Sequence, residues 1–275
     1  MKGLVFMANK KFEEYMRRFE SELRNKRFRL DIFSRFVVTW TLMSRFPLPK
    51  RWWPKEEVTG AKALTVSPLV GALLGLLTGA LISAVNFVGI GRLAAIWTGA
   101  AFYAVGGWAI HLDGWSDLWD GIGSGKEGEE LRSIMKDSRI GAFGVIGLIL
   151  AFGLWTSLLT STEQYAEASA LITAGALGRF AICVAAHFGN YPWEKGLAKG
   201  WVGCFEGYDI FFAGVCALVV MPFAPFTWFV SITLVSLAAF FAARYMNARL
   251  GGVNGDVLGA VAVLGELITL AVYAL

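Results

Sequence analysis

Residues 66–90 read VSPLVGALLGLLTGALISAVNFVGI, a run of 25 residues without one charged side chain. About 20 predominantly apolar residues in a helix are enough to cross the hydrocarbon core of a bilayer. The whole chain of 275 residues is 56% hydrophobic and only 17% charged, with a mean hydropathy of +0.56. A water-soluble domain of this length could not cover so much apolar surface, so the composition predicts a membrane protein.

Further apolar segments follow this run at 93–112, 140–160, 168–190, 208–223, 226–243 and 256–275. Together they predict an all-α polytopic transmembrane helix bundle of about seven spans, with residues 1–275 forming a single integral-membrane catalytic domain. An eighth apolar stretch, 33–48, is interrupted by Arg35, Arg45 and several hydroxyl side chains. Because such residues are costly in lipid, we expect a tilted, partly buried helix that lines a cavity.

The amino-terminal residues 1–32 have the pattern of an amphipathic helix at a membrane surface. Apolar and basic side chains alternate at helical spacing and fall on opposite faces. The apolar face carries Phe12, Tyr15, Met16, Phe19 and Leu23, and the basic face carries Lys11, Arg17, Arg18, Arg24 and Lys26. The basic face would contact anionic lipid head groups, so the net charge of +4 requires no nucleic-acid partner.

The distribution of basic residues predicts the orientation in the membrane. Lys and Arg number 15 before residue 66, four in 113–139, two in 191–207 and two in 244–255, which is 23 of the 25. Cytoplasmic loops carry such an excess, so these segments are expected on the cytoplasmic side of the inner membrane. The first thirty residues lack the apolar core of a signal peptide, so we expect the amino terminus to remain in the cytoplasm.

The most informative motif is His111-Leu-Asp-Gly-Trp-Ser-Asp-Leu-Trp-Asp-Gly121, at the cytoplasmic end of the second apolar segment. At about 100° per residue, Asp113, Asp117 and Asp120 share one face of a helix. Like charges this close repel one another in a medium of low dielectric constant unless a cation compensates. Carboxylates suit Mg²⁺, which makes these three aspartates candidate metal ligands and Asp117 also a candidate catalytic residue. The simpler alternative is a set of solvated aspartates at a helix end.

A second polar group precedes the third apolar segment, at Arg132, Lys136, Asp137 and Arg139. Cations beside a carboxylate–metal site are what a diphosphate group requires, so Arg132, Lys136 and Arg139 are candidate substrate-binding residues. Asp137 is a candidate catalytic residue that could add a metal ligand. The alternative for the cations, and for Lys136 above all, is that they anchor the helices at the cytoplasmic surface.

Ionisable residues also lie within or at the ends of later apolar segments. Arg179 should face the protein interior and meet an acid or a phosphate, and Asp256 enters the last segment from the cytoplasmic side; both are candidate substrate-binding residues. Glu266 is either a partner for a buried cation or a proton-handling group. His111 precedes the aspartates and is a candidate general base or orienting group.

These motifs resemble the cobalamin synthase family, adenosylcobinamide-GDP ribazoletransferase. The resemblance rests on the motif at 111–121, on Ile134-Met-Lys-Asp-Ser-Arg-Ile-Gly-Ala-Phe-Gly144 and on Gly255-Asp-Val-Leu-Gly-Ala260. Weaker similarity is found at Ser44-Arg-Phe-Pro-Leu-Pro49, Ser67-Pro-Leu-Val-Gly71 and Lys195-Gly-Leu197. Some positions depart from the family pattern: Trp115 and Trp119 are bulky, and Asn254 stands where threonine is usual. Pro192 and Lys195 are the nearest counterparts of the Arg-Pro pair that commonly precedes Gly-Leu in the 191–200 loop.

The resemblance implies a Mg²⁺-dependent reaction of adenosylcobinamide-GDP with α-ribazole or its 5′-phosphate. GMP would be released and adenosylcobalamin, or its 5′-phosphate, would be formed. Two alternatives stay open: a CDP-alcohol phosphatidyltransferase, which also binds a metal through membrane-surface aspartates, and a divalent-cation transporter. The first usually shows Asp-Gly-x-x-Ala-Arg, whereas Asp113-Gly114 is followed here by Ser116-Asp117 and not by Ala-Arg. The second would need an equivalent set of carboxylates in the outer half of the spans. Assembly as a homo-oligomer is also left open.

Overall fold

The computed structural model describes residues 2–23, 26–223 and 225–275, and within these ranges the chain is helical and contains no β-strand. The helices are α1 (Lys2–Leu23), α2 (Lys26–Met43), α3 (Gly60–Leu64), α4 (Ser67–Phe87), α5 (Arg92–Tyr103), α6 (Ala109–Gly123), α7 (Gly128–Met135), α8 (Ala142–Ser161), α9 (Glu167–Phe188), α10 (Gly207–Leu218), α11 (Pro225–Arg249) and α12 (Gly255–Tyr273). The expected polytopic helix bundle is therefore confirmed.

Six helical stretches are long and apolar enough to cross a membrane among the residues described. They are Ser67–Phe87, Arg92–Gly123, Ala142–Ser161, Gln164–Phe188, Phe226–Arg249 and Gly255–Tyr273. The seventh expected span, 208–223, contains instead the 12-residue helix α10, followed by a short 3₁₀ turn at Met221–Phe223. Twelve residues rise only about 18 Å, which is less than the roughly 30 Å of the hydrocarbon core.

Helix α2 and the loop after it occupy the position of the interrupted stretch 33–48. One face of α2 is buried through Val37, Trp40 and Met43, and α2 is not among the helices that are long and apolar enough to span a membrane. Arg35 is also buried, where it donates hydrogen bonds to Asp31. Residues from the end of α2 line a cavity, as the sequence predicted.

Helices α5 and α6 form one continuous rod that is interrupted by a π-helical segment, Ala104–Trp108. A π segment adds a residue to the helical turn and often occurs at functional sites. The carbonyl of Gly106 in this segment accepts a hydrogen bond from the backbone N–H of Arg45, at 2.8 Å. The loop after α2 is thereby attached to the middle of the rod.

Helix α9 is the centre of the bundle, since nearly all of its residues from Ala170 to Ala186 are buried. Helices α4, α11 and α12 surround it. It meets α4 backbone to backbone: a Cβ atom on Gly71 would lie 1.9 Å from the carbonyl oxygen of Gly175. Small residues allow this approach, which is how membrane helices gain packing contacts without a hydrophobic driving force.

The amino-terminal helix α1 packs its aromatic face on α10 as well as presenting a basic face outward. Phe12, Tyr15 and Phe19 contact Phe211, with ring centroids 5.7–6.4 Å apart. The guanidinium of Arg18 lies 3.9 Å from the centre of the Tyr208 ring, and Arg17 is exposed. The expected amphipathic helix is present, although Arg24 lies outside the described residues.

The basic loops predicted to share one side of the membrane are in contact with each other. Arg249, at the end of α11, forms a 3.0 Å ion pair with Glu127, in the loop between α6 and α7. The backbone N–H of Val253 donates to the carbonyl of Asn190 at 2.8 Å. The ends of α6, α9 and α11 and the start of α12 therefore form one surface of the protein.

Candidate active site

Two aspartates of the 111–121 motif project from the end of α6, which crosses the start of α12. The crossing is close: a Cβ atom on Gly114 would lie 2.5 Å from the carbonyl oxygen of Asp256 and 2.7 Å from its Cα atom. Only glycine fits there without moving one helix. The close approach places Asp256 beside Asp113 and Asp117, and we call these three residues the aspartate cluster.

The carboxylates of the aspartate cluster are close enough to repel one another. Asp117 is half-buried and lies within electrostatic range of Asp256, Asp113 and Asp120. Asp256 in turn lies within range of Asp113 and of the ammonium group of Lys136. The sequence predicted that Asp113, Asp117 and Asp120 share one face of a helix. The structure adds Asp256, which lies about 140 positions further along the chain. Local spacing in the sequence could not reveal that it joins the other aspartates.

Asn254 holds the start of α12 in place beside the cluster. Its side-chain oxygen accepts a hydrogen bond from the N–H of Val257 at 3.0 Å, which caps the helix. Its amide nitrogen donates to the Asp256 carboxylate at 2.8 Å. A threonine at this position could also cap the helix, but it lacks the amide donor. The departure from the family pattern therefore adds a contact to Asp256.

Asp120 caps a neighbouring helix, a role that the sequence did not predict. One carboxylate oxygen accepts from the N–H of Gly141 and the other from the N–H of Gly144, both at 2.7 Å. These are unpaired donors at the start of α8, so Asp120 caps that helix from α6. Its role as a metal ligand stays a prediction, and each oxygen already accepts one backbone hydrogen bond.

We expect Asp120→Ala to destabilise the protein by about 1 kcal/mol, because loss of a cap leaves amide donors of α8 without a partner. Thermal unfolding in detergent measures this change. The family resemblance implies release of GMP, and we expect this release to fall far less in the folded fraction of Asp120→Ala than in a variant of Asp117. Equal loss of activity in the two variants, with no change in stability, would identify Asp120 as a metal ligand.

The polar group at 132–139 lies at the surface beside the aspartate cluster. Asp137 accepts hydrogen bonds from the side chain and the backbone N–H of Arg139, with an ion-pair distance of 2.7 Å. This guanidinium lowers the pKa of Asp137 to about 2. Asp137 is thus ionised and already paired, and the structure does not join it to the carboxylates of the cluster.

Arg132 and Lys136 differ in how free they are to bind an anion. Arg132 forms a 3.0 Å ion pair with Glu129, and its guanidinium lies 4.6 Å from the centre of the Trp193 ring. Lys136 is exposed and has no hydrogen bond or ion pair with any residue that the structure describes. Because it also lies near Asp256, Lys136 is the cation best placed for a phosphate that approaches the cluster.

Arg179 lies in the interior and is not a substrate-binding residue. It is completely buried, forms an ion pair with Glu266, and donates to the hydroxyl of Tyr103 at 2.6 Å. That hydroxyl donates to Glu266 at 2.9 Å. The expectation that Arg179 meets an acid inside the protein is confirmed, and its assignment to substrate is corrected because no substrate reaches it.

His111 is buried against α12 and not at the surface with the aspartates. A Cβ atom on Gly259 would lie 3.1 Å from the Cα of His111. The Nε2 atom of His111 has no hydrogen-bond partner among the described residues. His111 lies two positions before Asp113, and about 200° of helical rotation points them in opposite directions. Its role as a base stays a prediction, although the geometry does not favour it.

The aspartate cluster fits a Mg²⁺ ion that is only partly held by protein. In the described ranges, no three His, Cys, Asp or Glu side chains converge into a group that could hold a metal by itself. Mg²⁺ commonly binds through one or two carboxylates and completes its shell with water and substrate phosphates. Oxygen donors of the cluster suit this ion, and the repulsion among them is what a cation would relieve.

Sequence reasoning did not identify the cavity that borders the aspartate cluster as part of a site. The residues that line this cavity of about 530 Å³ include Asp113, Ser44 and Arg45. The sequence signal was present in the charged and hydroxyl residues that interrupt the apolar stretch 33–48. Only the packing of α2 against the π segment shows that they approach Asp113.

Comparison with known proteins agrees with the motifs of the site. A family model described as cobalamin-5-phosphate synthase matches residues 35–274. The chain is 34% identical to an adenosylcobinamide-GDP ribazoletransferase of Bradyrhizobium diazoefficiens, over 80% of this chain and 86% of the relative. It is 33% identical to that of Citrobacter koseri, over 86% and 97%, and 30% identical to that of Brevibacillus brevis, over 86% and 96%.

No solved structure matches the chain. The family model nevertheless spans the helices that carry the aspartate cluster, from the cavity-lining end of α2 to the end of α12. Because the match covers most of the chain, and because curated relatives align along nearly their whole lengths, the chain belongs to the cobalamin-5-phosphate synthase family.

Proposed function

We propose that this chain is a transferase that joins adenosylcobinamide-GDP to α-ribazole or its 5′-phosphate and releases GMP. The observation that carries the proposal is the meeting of Asp256 with Asp113 and Asp117 at the crossing of α6 and α12, with Lys136 beside them. Family membership supports the same reaction and disfavours a phosphatidyltransferase or a cation transporter.

The reaction makes one bond and breaks another at phosphorus. A ribose hydroxyl oxygen of the acceptor forms a bond to the phosphorus that carries the cobinamide. The bond from that phosphorus to the oxygen bridging to GMP breaks, so GMP leaves with the bridging oxygen and the electron pair. The hydroxyl proton passes to a base, for which Asp117 is our candidate because it lies one helical turn from Asp113 in the same cluster.

Asp113 and Asp256 would hold Mg²⁺, and Asp117 is a candidate for either a further ligand or the base. When bound, this ion neutralises charge on the diphosphate and withdraws electron density from phosphorus. Lys136 binds a non-bridging oxygen of the diphosphate and stabilises charge that develops on departing GMP. Arg139 and Arg132 lie further out, each paired with an acid, and can exchange that acid for a phosphate oxygen.

The site is proposed to face the cytoplasm, across the inner membrane from the loops between α4 and α5 and between α8 and α9. The loops that contact one another around the cluster are those that carry the excess of Lys and Arg. The donor, and the acceptor in its 5′-phosphate form, carry phosphate groups and would be drawn to this basic surface.

The proposal is tested by supplying the purified protein, in detergent, with adenosylcobinamide-GDP, α-ribazole and Mg²⁺. We expect release of GMP together with a cobalamin product, and loss of both when EDTA removes the metal. Readdition of Mg²⁺ should restore activity. Failure to release GMP with either ribazole or its 5′-phosphate, in protein that remains monodisperse, would reject the proposed reaction.

A further inference from the structure

A cavity of about 530 Å³ lies between the end of α2 and the rod formed by α5, the π segment and α6. It is lined by Thr41, Leu42, Met43, Ser44, Arg45, Val105, Gly107, Ala109, Ile110 and Asp113. Asp113 belongs to the aspartate cluster, so the cavity opens next to the proposed site of phosphoryl transfer. Its volume falls within the usual range of pockets for small molecules.

The backbone of Arg45 lies beside the π segment, displaced from the aspartates along the axis of the rod. Its backbone N–H donates to the carbonyl of Gly106, seven residues before Asp113 along the rod. Seven residues of helix rise about 10 Å. The next residue, Phe46, also contacts the rod, because its ring centroid lies 5.3 Å from that of Phe102 in α5. The loop after α2 therefore places Arg45 beside the middle of the rod, among the residues that line the cavity.

The guanidinium of Arg45 has no partner there. It is exposed and makes no hydrogen bond or ion pair with the described residues. Three other arginines of the helix bundle are paired: Arg35 with Asp31, Arg92 with Glu167 and Arg179 with Glu266. An ionisable side chain beside membrane-spanning helices is costly without a partner and often marks a functional site. The cavity therefore contains a cation without a counter-ion among the described residues, which favours an anionic ligand.

The other residues that line the cavity indicate the remaining chemical groups of the ligand. Leu42, Met43, Val105 and Ile110 provide apolar surface, whereas Thr41 and Ser44 add hydroxyl groups. A ligand with an apolar ring system and one anionic group would match this arrangement. The cavity is too small for a corrinoid macrocycle with its nucleotide, so the larger substrate cannot occupy it.

We propose that this cavity binds the acceptor nucleotide, with its 5′-phosphate on Arg45 and a ribose hydroxyl directed toward Asp113. The apolar base contacts Leu42, Val105 and Ile110. This inference rests on the proposed function and adds the location of the acceptor and the residue that recognises its phosphate. It follows that the 5′-phosphate form is the preferred acceptor of this chain.

The test measures KM for ribazole 5′-phosphate, for ribazole and for adenosylcobinamide-GDP in Arg45→Gln. Loss of a charge-assisted hydrogen bond should raise KM for the phosphorylated acceptor by about 10- to 100-fold. KM for ribazole and for the donor should change less than about threefold. Arg51→Gln is the matched control, because Arg51 is exposed on the same loop but does not line the cavity.

A second variant tests the cavity without removing a charge. Ile110→Trp fills part of the space from a partly exposed position, so folding should be preserved. We expect it to raise KM for both acceptors and to leave KM for the donor unchanged. This variant keeps the location of the acceptor testable if Arg45→Gln cannot be purified.

Three outcomes would overturn the inference while leaving the proposed function intact. Arg45→Gln could raise KM for the donor, which would place Arg45 on the diphosphate. It could affect both acceptors equally, which would exclude recognition of the 5′-phosphate. It could leave every KM unchanged but abolish a stimulation by phosphatidylglycerol vesicles, which would assign the cavity to a lipid head group. Absence of GMP release by the unmodified protein would instead reject the proposed function.

Discussion

Asp117→Asn is expected to lower GMP release by about a thousandfold or more while the protein remains folded. The substitution keeps the size of the side chain but removes a charge from the aspartate cluster. Loss of one group that stabilises a charged transition state typically costs 10²- to 10³-fold, and loss of a proton acceptor adds to this. The measurement is initial rate at saturating substrates and Mg²⁺.

The Mg²⁺ dependence of this variant separates two roles for Asp117. A residual rate that needs the same Mg²⁺ concentration as the unmodified protein would identify Asp117 as the base. A residual rate that needs much more Mg²⁺ would identify it as a ligand. Glu130→Gln is the control, because Glu130 is an exposed carboxylate on α7 outside the cluster. Full activity in Asp117→Asn would refute the proposed site.

Arg179→Met is expected to destabilise the protein by about 3–5 kcal/mol, since it leaves the carboxylate of Glu266 buried without its cation. The methionine fills much of the same volume, so the loss reports the missing charge and not a cavity. The free energy of unfolding can be followed by titrating folded protein in mild detergent with a denaturing detergent.

The double variant Arg179→Met with Glu266→Leu should regain most of the lost stability, because it replaces the whole pair by apolar side chains. Lys126→Met breaks an exposed ion pair with Glu130 and should cost less than about 1 kcal/mol. If Arg179→Met were as stable as the unmodified protein, the pair would have no structural role. The assignment of Arg179 to substrate would then have to be reconsidered.

The membrane helices could be predicted from local composition because lipid imposes a simple requirement on sequence. A spanning segment must be apolar for about 20 residues and must satisfy its own backbone hydrogen bonds. Segments such as 66–90 and 256–275 therefore correspond closely to α4 and α12. The prediction was less accurate for 208–223, where Pro222 and Pro225 border the break after the short helix α10.

The site could be predicted only in part, namely where its residues lie on one helix. Asp113 and Asp117 lie within one helix, so helical geometry alone brings them together. Asp120 is also on that helix, but its partners are amides of Gly141 and Gly144 at the start of another. Spacing within α6 could not distinguish a residue that binds metal from one that caps a neighbouring helix.

The amino-acid sequence by itself determined that this chain is a helical membrane protein with a carboxylate-rich motif at the end of a span. These properties depend on short-range periodicity and on the cost of placing charge in lipid. Tertiary structure alone decided that Asp256 joins Asp113 and Asp117, that Arg179 is neutralised by Glu266, and that Arg45 lies unpaired in a cavity. Each depends on which helices touch, and glycines such as Gly114 set how closely they do so.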